Sequence, residues 1–239
     1  MPETAAHLIR SYDEELARLH GLVGEMGSLV QSQLASAVAA TLCRDPTAAT
    51  QVVEADSKVD VLEREVEQFA IRLLALRQPV ARDLRQIIGA LKMSDDLERI
   101  GDYAANIAKR VIILAQTPLS FSLAGLAQMA ELVQQNLRCT VEAYAAADAR
   151  AAAAVWRADQ AADEAYNMLF RELITYMLED TRDITACTHL LFIARNLERI
   201  GDHATNLAES IYYAAQGRAL AGPRPKGADA DAIHATEGV

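Results

Sequence analysis

Leu97–Ala108 reads LERIGDYAANIA, and Leu197–Ala208, 100 residues further on, reads LERIGDHATNLA. Nine of the twelve positions are identical, the first six without a break. On a helix, residues three and four apart share a face. Glu98, Asp102 and Asn106 therefore form one stripe, while Leu97, Ile100, Ala104 and Ile107 form another that would face a core. The second copy sets Glu198, Asp202 and Asn206 in the same order. An apolar seam needs a solvated back, but it does not need the same two carboxylates at the same spacing twice.

The correspondence extends outward from these stretches. Asp56 and Asp60 match Asp159 and Asp163 at an offset of 103, and Asp83 matches Asp183 at an offset of 100. The three-residue difference falls where the second helix of each half turns into the third, where a length change costs least. Upstream, Leu8, Tyr12, Leu16, Leu19, Val23, Met26, Val30, Leu34 and Val38 keep a helical period from about Ala6 to Leu42. Asp45-Pro46 reads as an N-cap followed by proline at the first helical position. A second helix is predicted from there to about Leu76. Gln78-Pro79 breaks it, and a third runs from Val80 or Ala81 to about Ala115.

The second half repeats this plan. Leu123, Leu126, Met129, Val133, Leu137 and Val141 mark a fourth helix, Asp148 stands where Asp45 stood, and a fifth carries Val155, Ala162, Leu169 and Leu173. A sixth is predicted from about Asp183 to Ala215. Between residues 6 and 216 proline occurs only at 46, 79 and 118, each at a proposed junction. No stretch sustains strand alternation. The fold class predicted is all-α: two tandem, pseudo-symmetric three-helix bundles, residues 1–117 and 118–216. Residues 217–239, rich in Gly, Pro, Ala and charge, are predicted to form a mobile tail.

Composition narrows the function classes. The 239 residues are 51% hydrophobic but only 5% aromatic, and alanine is abundant, a balance that favours helices. A net charge of −10 argues against a nucleic-acid partner. Cys43, Cys139 and Cys187 are scattered and form neither a disulfide framework nor a zinc site, so they are predicted to be small core residues. With no signal-peptide pattern and no convincing membrane span, the chain reads as cytoplasmic, with no direct membrane insertion.

Each half offers two acid pairs spaced four apart: Asp56/Asp60 and Glu98/Asp102, then Asp159/Asp163 and Glu198/Asp202. Carboxylates four apart on a helix repel by a few tenths of a kcal/mol. One such pair describes a solvated face, but four at matching places suggest more. If the two helices of a half lie side by side, four carboxylates converge and either bind a cation or hold protons. Oxygen ligands suit magnesium, manganese or iron rather than zinc. Asn106 and Asn206 extend the stripe, and either ligation or solvent exposure accounts for them. Asp95 also lies on it, but Arg195 stands at the equivalent place. Arg99 and Arg199 are expected to pair with nearby acids. Gly101 and Gly201 point to close helix approach. His203 has Tyr103 as its counterpart, so it cannot serve a chemistry common to both halves and is expected to be partly exposed.

Catalysis finds little support. None of the five histidines follows a glutamate by three residues, as a di-iron bundle would require. A nucleotide-binding phosphate loop and a nucleophile elbow are both missing. Two alternatives stand beside a binding protein: a purely structural helical scaffold, and a carboxylate-bridged metalloenzyme.

Arg77–Arg110, RQPVARDLRQIIGALKMSDDLERIGDYAANIAKR, together with Arg195–Glu209, RNLERIGDHATNLAE, resembles the PhoU family of phosphate-uptake regulators. Met26-Gly27, within LHGLVGEMGSLVQSQL, is similar to that family's opening helix. The resemblance covers residues 5 to 217. It implies tandem three-helix bundles whose acidic motifs bind metal clusters at Asp56, Asp60, Glu98, Asp102, Asp159, Asp163, Glu198 and Asp202. It further implies a cytoplasmic, often dimeric, negative regulator of the phosphate response. Such a protein links the phosphate ABC transporter, through its ATPase subunit, to a membrane sensor histidine kinase. The stretch after Gly217 departs from the family's usual ending.

Overall fold

The structure is a computed structural model that describes residues 2–222, with side chains from residue 12 onward. Seven α-helices follow one another: α1 (Pro2–Cys43), α2 (Pro46–Ala55), α3 (Ser57–Arg77), α4 (Ala81–Leu114), α5 (Ala124–Ala145), α6 (Ala149–Glu179) and α7 (Ile184–Gln216). A single 3₁₀ turn, Thr181–Asp183, precedes α7, and the described residues contain no strand. The all-helical fold is thus as predicted. Of the predicted tail, residues 217–222 form a turn and a short extension, and residues 223–239 lie outside the described residues.

The helix ends repeat at atomic detail. Asp45 Oδ1 accepts from the N–H of Thr47 and Ala48 at 2.8 and 3.1 Å, and Asp148 Oδ1 accepts from Arg150 and Ala151 at the same two distances. Each cap satisfies two otherwise orphaned donors. The residue before each cap, Arg44 or Ala147, turns left-handed at φ 54° or 49°. The capping aspartate's own N–H then reaches back five residues, to Ala40 or Ala143, at 2.9 Å in both. Arg44 also donates to the carbonyls of Leu114, Ala115 and Thr117, tying the first turn of the chain to the end of α4.

The two halves differ at one predicted rod. The second helix was expected to be continuous, but it is interrupted at Asp56. The backbone stays right-handed there (φ −56°, ψ −40°), and the Val59 N–H bonds to the Asp56 carbonyl at 2.8 Å. The rod therefore tightens for one turn rather than ending. Its counterpart α6 runs unbroken. The shorter second half comes from the connection: residues 78–80 link α3 to α4, whereas Asp180 alone separates α6 from the 3₁₀ turn.

Leu97, Ile100, Ala104 and Ile107 are buried, as are Leu197, Ile200, Ala204 and Leu207. The apolar seams of α4 and α7 belong to one continuous core that includes Met26, Val30 and Leu34 of α1 and Met129, Val133 and Leu137 of α5. α4 packs along α7, so the two LERIGD helices form the spine of the molecule. Of the cysteines, Cys187 is buried and Cys139 half-buried, but Cys43, at the last residue of α1, is exposed rather than in the core. No helix among the described residues is long and apolar enough to cross a membrane.

Candidate functional site

In the first half, α4 lies against α2 and α3 and brings four of the predicted acids into one electrostatic neighbourhood. Asp56 sits at the interruption, half-buried, and accepts a hydrogen bond from Gln33 Nε2 of α1 at 2.8 Å. Burial raises its pKa, with Asp102 and Asp60 adding to the rise and Gln33 opposing it. The lack of a side chain at Gly101 makes this possible. A Cβ there would lie 3.3 Å from Gln33 Oε1 and 3.4 Å from Asp56 Oδ1. Glu98 is pushed up to about 6, by burial first and then by Asp102 and Glu63. Asp102 is exposed.

The second half sets α6 against α7. Glu198 is pushed up to about 7, by burial first and then by Asp202, against the pull of Arg195, with Asp163 adding to the rise. Arg195 Nη1 lies 3.1 Å from Glu198 Oε1, while Glu198 Oε2 is buried with no hydrogen-bond partner. Asp159 is closed off from water. It is 2% exposed and accepts from Thr205 Oγ1 at 2.8 Å. The reason is that α6 packs flush along α7, which closes water off from the inner turn of the stripe.

All eight predicted acids thus fall on the facing sides of α2/α3 with α4, or of α6 with α7. They are not gathered into a cage. Among the described residues, no three His, Cys, Asp or Glu side chains converge on one point where an ion would sit. Asp56 leans on Gln33, Asp159 on Thr205 and Glu198 on Arg195. Such spreading is what mutual repulsion favours. The donor set nevertheless fits a hard cation. It is all oxygen, its two glutamates are held above their usual range by burial first and then by neighbouring acids, and one buried oxygen has no donor.

Other expectations fared unevenly. Arg99 pairs with an acid, Asp95, at 3.6 Å, but Arg199 lies over the Tyr103 ring at 5.6 Å instead. Asn106 Oδ1 accepts from Lys109. His203 is partly exposed, as expected, but it is not idle. Its side chain is only 18% exposed, and its Nδ1 stands 2.7 Å from Asp96 Oδ1 across the α4–α7 seam.

Sequence reasoning missed Glu63, whose pKa is raised by burial and then by Asp95, and which in turn raises Glu98. It lies one turn beyond Asp60 on the same face, and that spacing is a visible signal. Because its counterpart is Tyr166, a search for duplicated acids passes over it. Gln33 and Thr205 carried no such signal, since a lone amide or hydroxyl on a helix marks nothing until its neighbour is known.

The PhoU domain profile matches residues 23–111 and 126–211, one LERIGD helix in each segment. The chain is 49% identical over 221 residues to the phosphate-specific transport system accessory protein PhoU homolog of Caulobacter vibrioides, covering 92% of this chain and 96% of that one. Among solved structures, PhoU from Pseudomonas aeruginosa superposes with a TM-score of 0.84 at 38% identity, over 87% of this chain and all of that one. The phosphate transport system regulatory protein PhoU from Streptococcus pneumoniae gives 0.82 at 30% identity, over 88% of this chain and all of that one. The doubled acid stripe, the six-rod architecture and both matched segments thus agree that this chain belongs to the PhoU family.

Proposed function

We propose that this chain is a cytoplasmic, non-enzymatic regulator of phosphate uptake whose two carboxylate clusters hold multivalent cations. It represses the phosphate-starvation response by linking the ATPase subunit of a phosphate ABC transporter to a membrane sensor histidine kinase, and it acts as a homodimer. The observation that carries the metal reading is the repeated pairing of raised glutamates with neighbouring acids, Glu98 with Asp102 and Glu198 with Asp202. The regulatory reading rests on family membership and on relatives named as phosphate transport accessory proteins.

Asp56, Asp60, Glu98 and Asp102 would hold one set of cations, and Asp159, Asp163, Glu198 and Asp202 the other. Magnesium, manganese or iron suits such oxygen ligands. A bound cation would supply positive charge that offsets the repulsion among these acids. The chain's own residues do the rest. Gln33 and Thr205 orient the inner aspartates, and Arg195 stands in as a fixed counter-charge in the second cluster.

Disruption of the gene tests the role. Phosphate-starvation genes should stay expressed in phosphate-rich medium, and the wild-type gene should restore repression. Normal repression in the disruptant would sink the reading. Metal analysis of gently purified protein separates it from a purely structural scaffold, which has no need of cations.

A further inference from the structure

One helical turn along the α6–α7 seam from Asp159 and Thr205, a cavity of about 270 Å³ opens between the N-terminal part of α4 and the end of α7. Arg85 and Lys92 bring positive charge to it, Trp156 and Tyr213 bring ring faces, and Ser210 a hydroxyl. Residues 219, 220 and 222 close one side.

Arg85 is the unexplained group. Its Nε is buried and has no hydrogen-bond partner among the described residues. The chain crosses directly over its guanidinium, whose carbon lies 3.2 Å from where a Cβ of Gly217 would stand, at φ +70°. Arg18, Arg77, Arg182 and Arg195 each meet a carboxylate within 3.1 Å. In a chain with a net charge of −10, acids for pairing are plentiful. The one carboxylate lining this cavity, Glu209, turns its Oε1 to the Trp156 indole N–H at 2.8 Å and forms no ion pair with Arg85 among the described residues. The partial negative charge at the end of α7 favours an arginine nearby but does not satisfy its Nε donor. Because that Nε is covered, a ligand in the cavity would meet the guanidinium through its Nη groups.

We infer that this cavity binds a phosphate group. The guanidinium fork matches two phosphate oxygens at once. Lys92, Ser210 and Tyr213 line the same cavity and could donate to the others, which a carboxylate, with two oxygens, would leave unused. Inorganic phosphate and a phosphomonoester share this chemistry. The volume exceeds what phosphate alone fills, and the Trp156 and Tyr213 rings would seat a small planar body. The site is independent of the metal reading of the carboxylate clusters.

Trp156 is the only tryptophan in the chain, so its fluorescence reports this cavity alone. Chelator-treated full-length protein is titrated at constant ionic strength with sodium phosphate and, separately, with adenosine monophosphate. A saturable change is expected below about 10 mM, the range that a few charge-assisted contacts reach. Arg85→Gln should abolish it. Lys92→Ala, a change at an exposed position that leaves the fold alone, should weaken it about tenfold. Glu209→Gln should tighten it while keeping an oxygen for the indole. The variant Glu98→Ala/Asp102→Ala/Glu198→Ala/Asp202→Ala should bind as wild type does. A response to phosphate, to the monophosphate or to both supports the inference and names the source. No saturable response to either, or a response unchanged in both Arg85→Gln and Lys92→Ala, overturns it.

Discussion

The two carboxylate clusters share a backbone plan but balance their charge differently. In the first, Glu63 and Asp95 surround Glu98 and Asp102 with further acid. In the second, the same places hold Tyr166 and Arg195, and the arginine reaches Glu198 at 3.1 Å. The first cluster therefore has two more acids and one fewer arginine, and its Asp102 is open to water. The second is drier, with Asp159 buried against Thr205. Screening by water keeps repulsion modest in the first, while burial raises the cost of each charge in the second. The repeated helix sets which acids face each other, and the neighbours that do not repeat set how much charge each cluster bears.

The largest expected effect is on metal-linked stability. Mn²⁺, Fe³⁺ or Mg²⁺ should raise the melting temperature of chelator-treated protein, since a hundredfold excess over the dissociation constant stabilises the fold by about 2.7 kcal/mol per site. Glu98→Ala with Asp102→Ala should take the larger share of that shift, because the first cluster carries more uncompensated acid. Adding Glu198→Ala with Asp202→Ala should remove most of the remainder. Equal shares would break the comparison between the halves. A quadruple variant that keeps the whole shift would remove both site assignments.

Next comes the pH dependence of the metal-free protein. Glu198 is raised from 4.5 to about 7, so between those values the folded state binds more protons than the unfolded chain. Stability must then fall as pH rises through that window, by on the order of 2 kcal/mol. Glu98, raised to about 6, should contribute in the same direction over a narrower range. Denaturant midpoints measured from pH 4.5 to 8 test this. Glu198→Gln should flatten the slope more than Glu98→Gln, and the reverse order would contradict the burial difference.

Thr205→Val removes a hydroxyl that donates to the buried Asp159, at a cost of about 1.5–3 kcal/mol for a bond to a charged group. Gln33→Leu removes the corresponding donor to Asp56, which retains contact with water. It also removes a buried amide oxygen that has no partner. Its cost should therefore be smaller, below about 1 kcal/mol. Urea unfolding of the two variants side by side decides the order.

The smallest effect concerns the paired glycines. A Cβ at Gly201 would meet Ala162 at 3.8 Å and Val133 at 4.0 Å, ordinary contacts, so Gly201→Ala should gain about 0.5–1 kcal/mol of helix propensity. At Gly101 the added methyl would press on Gln33, Asp56 and Val59 at 3.3–3.4 Å. Gly101→Ala should therefore be neutral or mildly destabilising. Thermal melts of both variants distinguish a tight first seam from a looser second one.

The sequence by itself determined the elements that depend on local rules. The 3.6-residue period placed Leu97, Ile100, Ala104 and Ile107 in the core, and Asp45, Asp148, Pro46 and Pro79 marked helix ends through backbone chemistry that acts over a few residues. The doubled acid stripe was legible for the same reason, since residues four apart share a face wherever the helix sits. What only the tertiary structure decided is how deeply each face is covered and what stands opposite it. The interruption at Asp56, the burial of Asp159, the meeting of Asp96 with His203 across α4 and α7, and the unpartnered Arg85 under Gly217 all arise between segments distant in the chain. Charge and hydrogen bonding at these sites depend on the dielectric and the partner that packing supplies. A repeat that dictates identical faces therefore still leaves two clusters of different depth and charge.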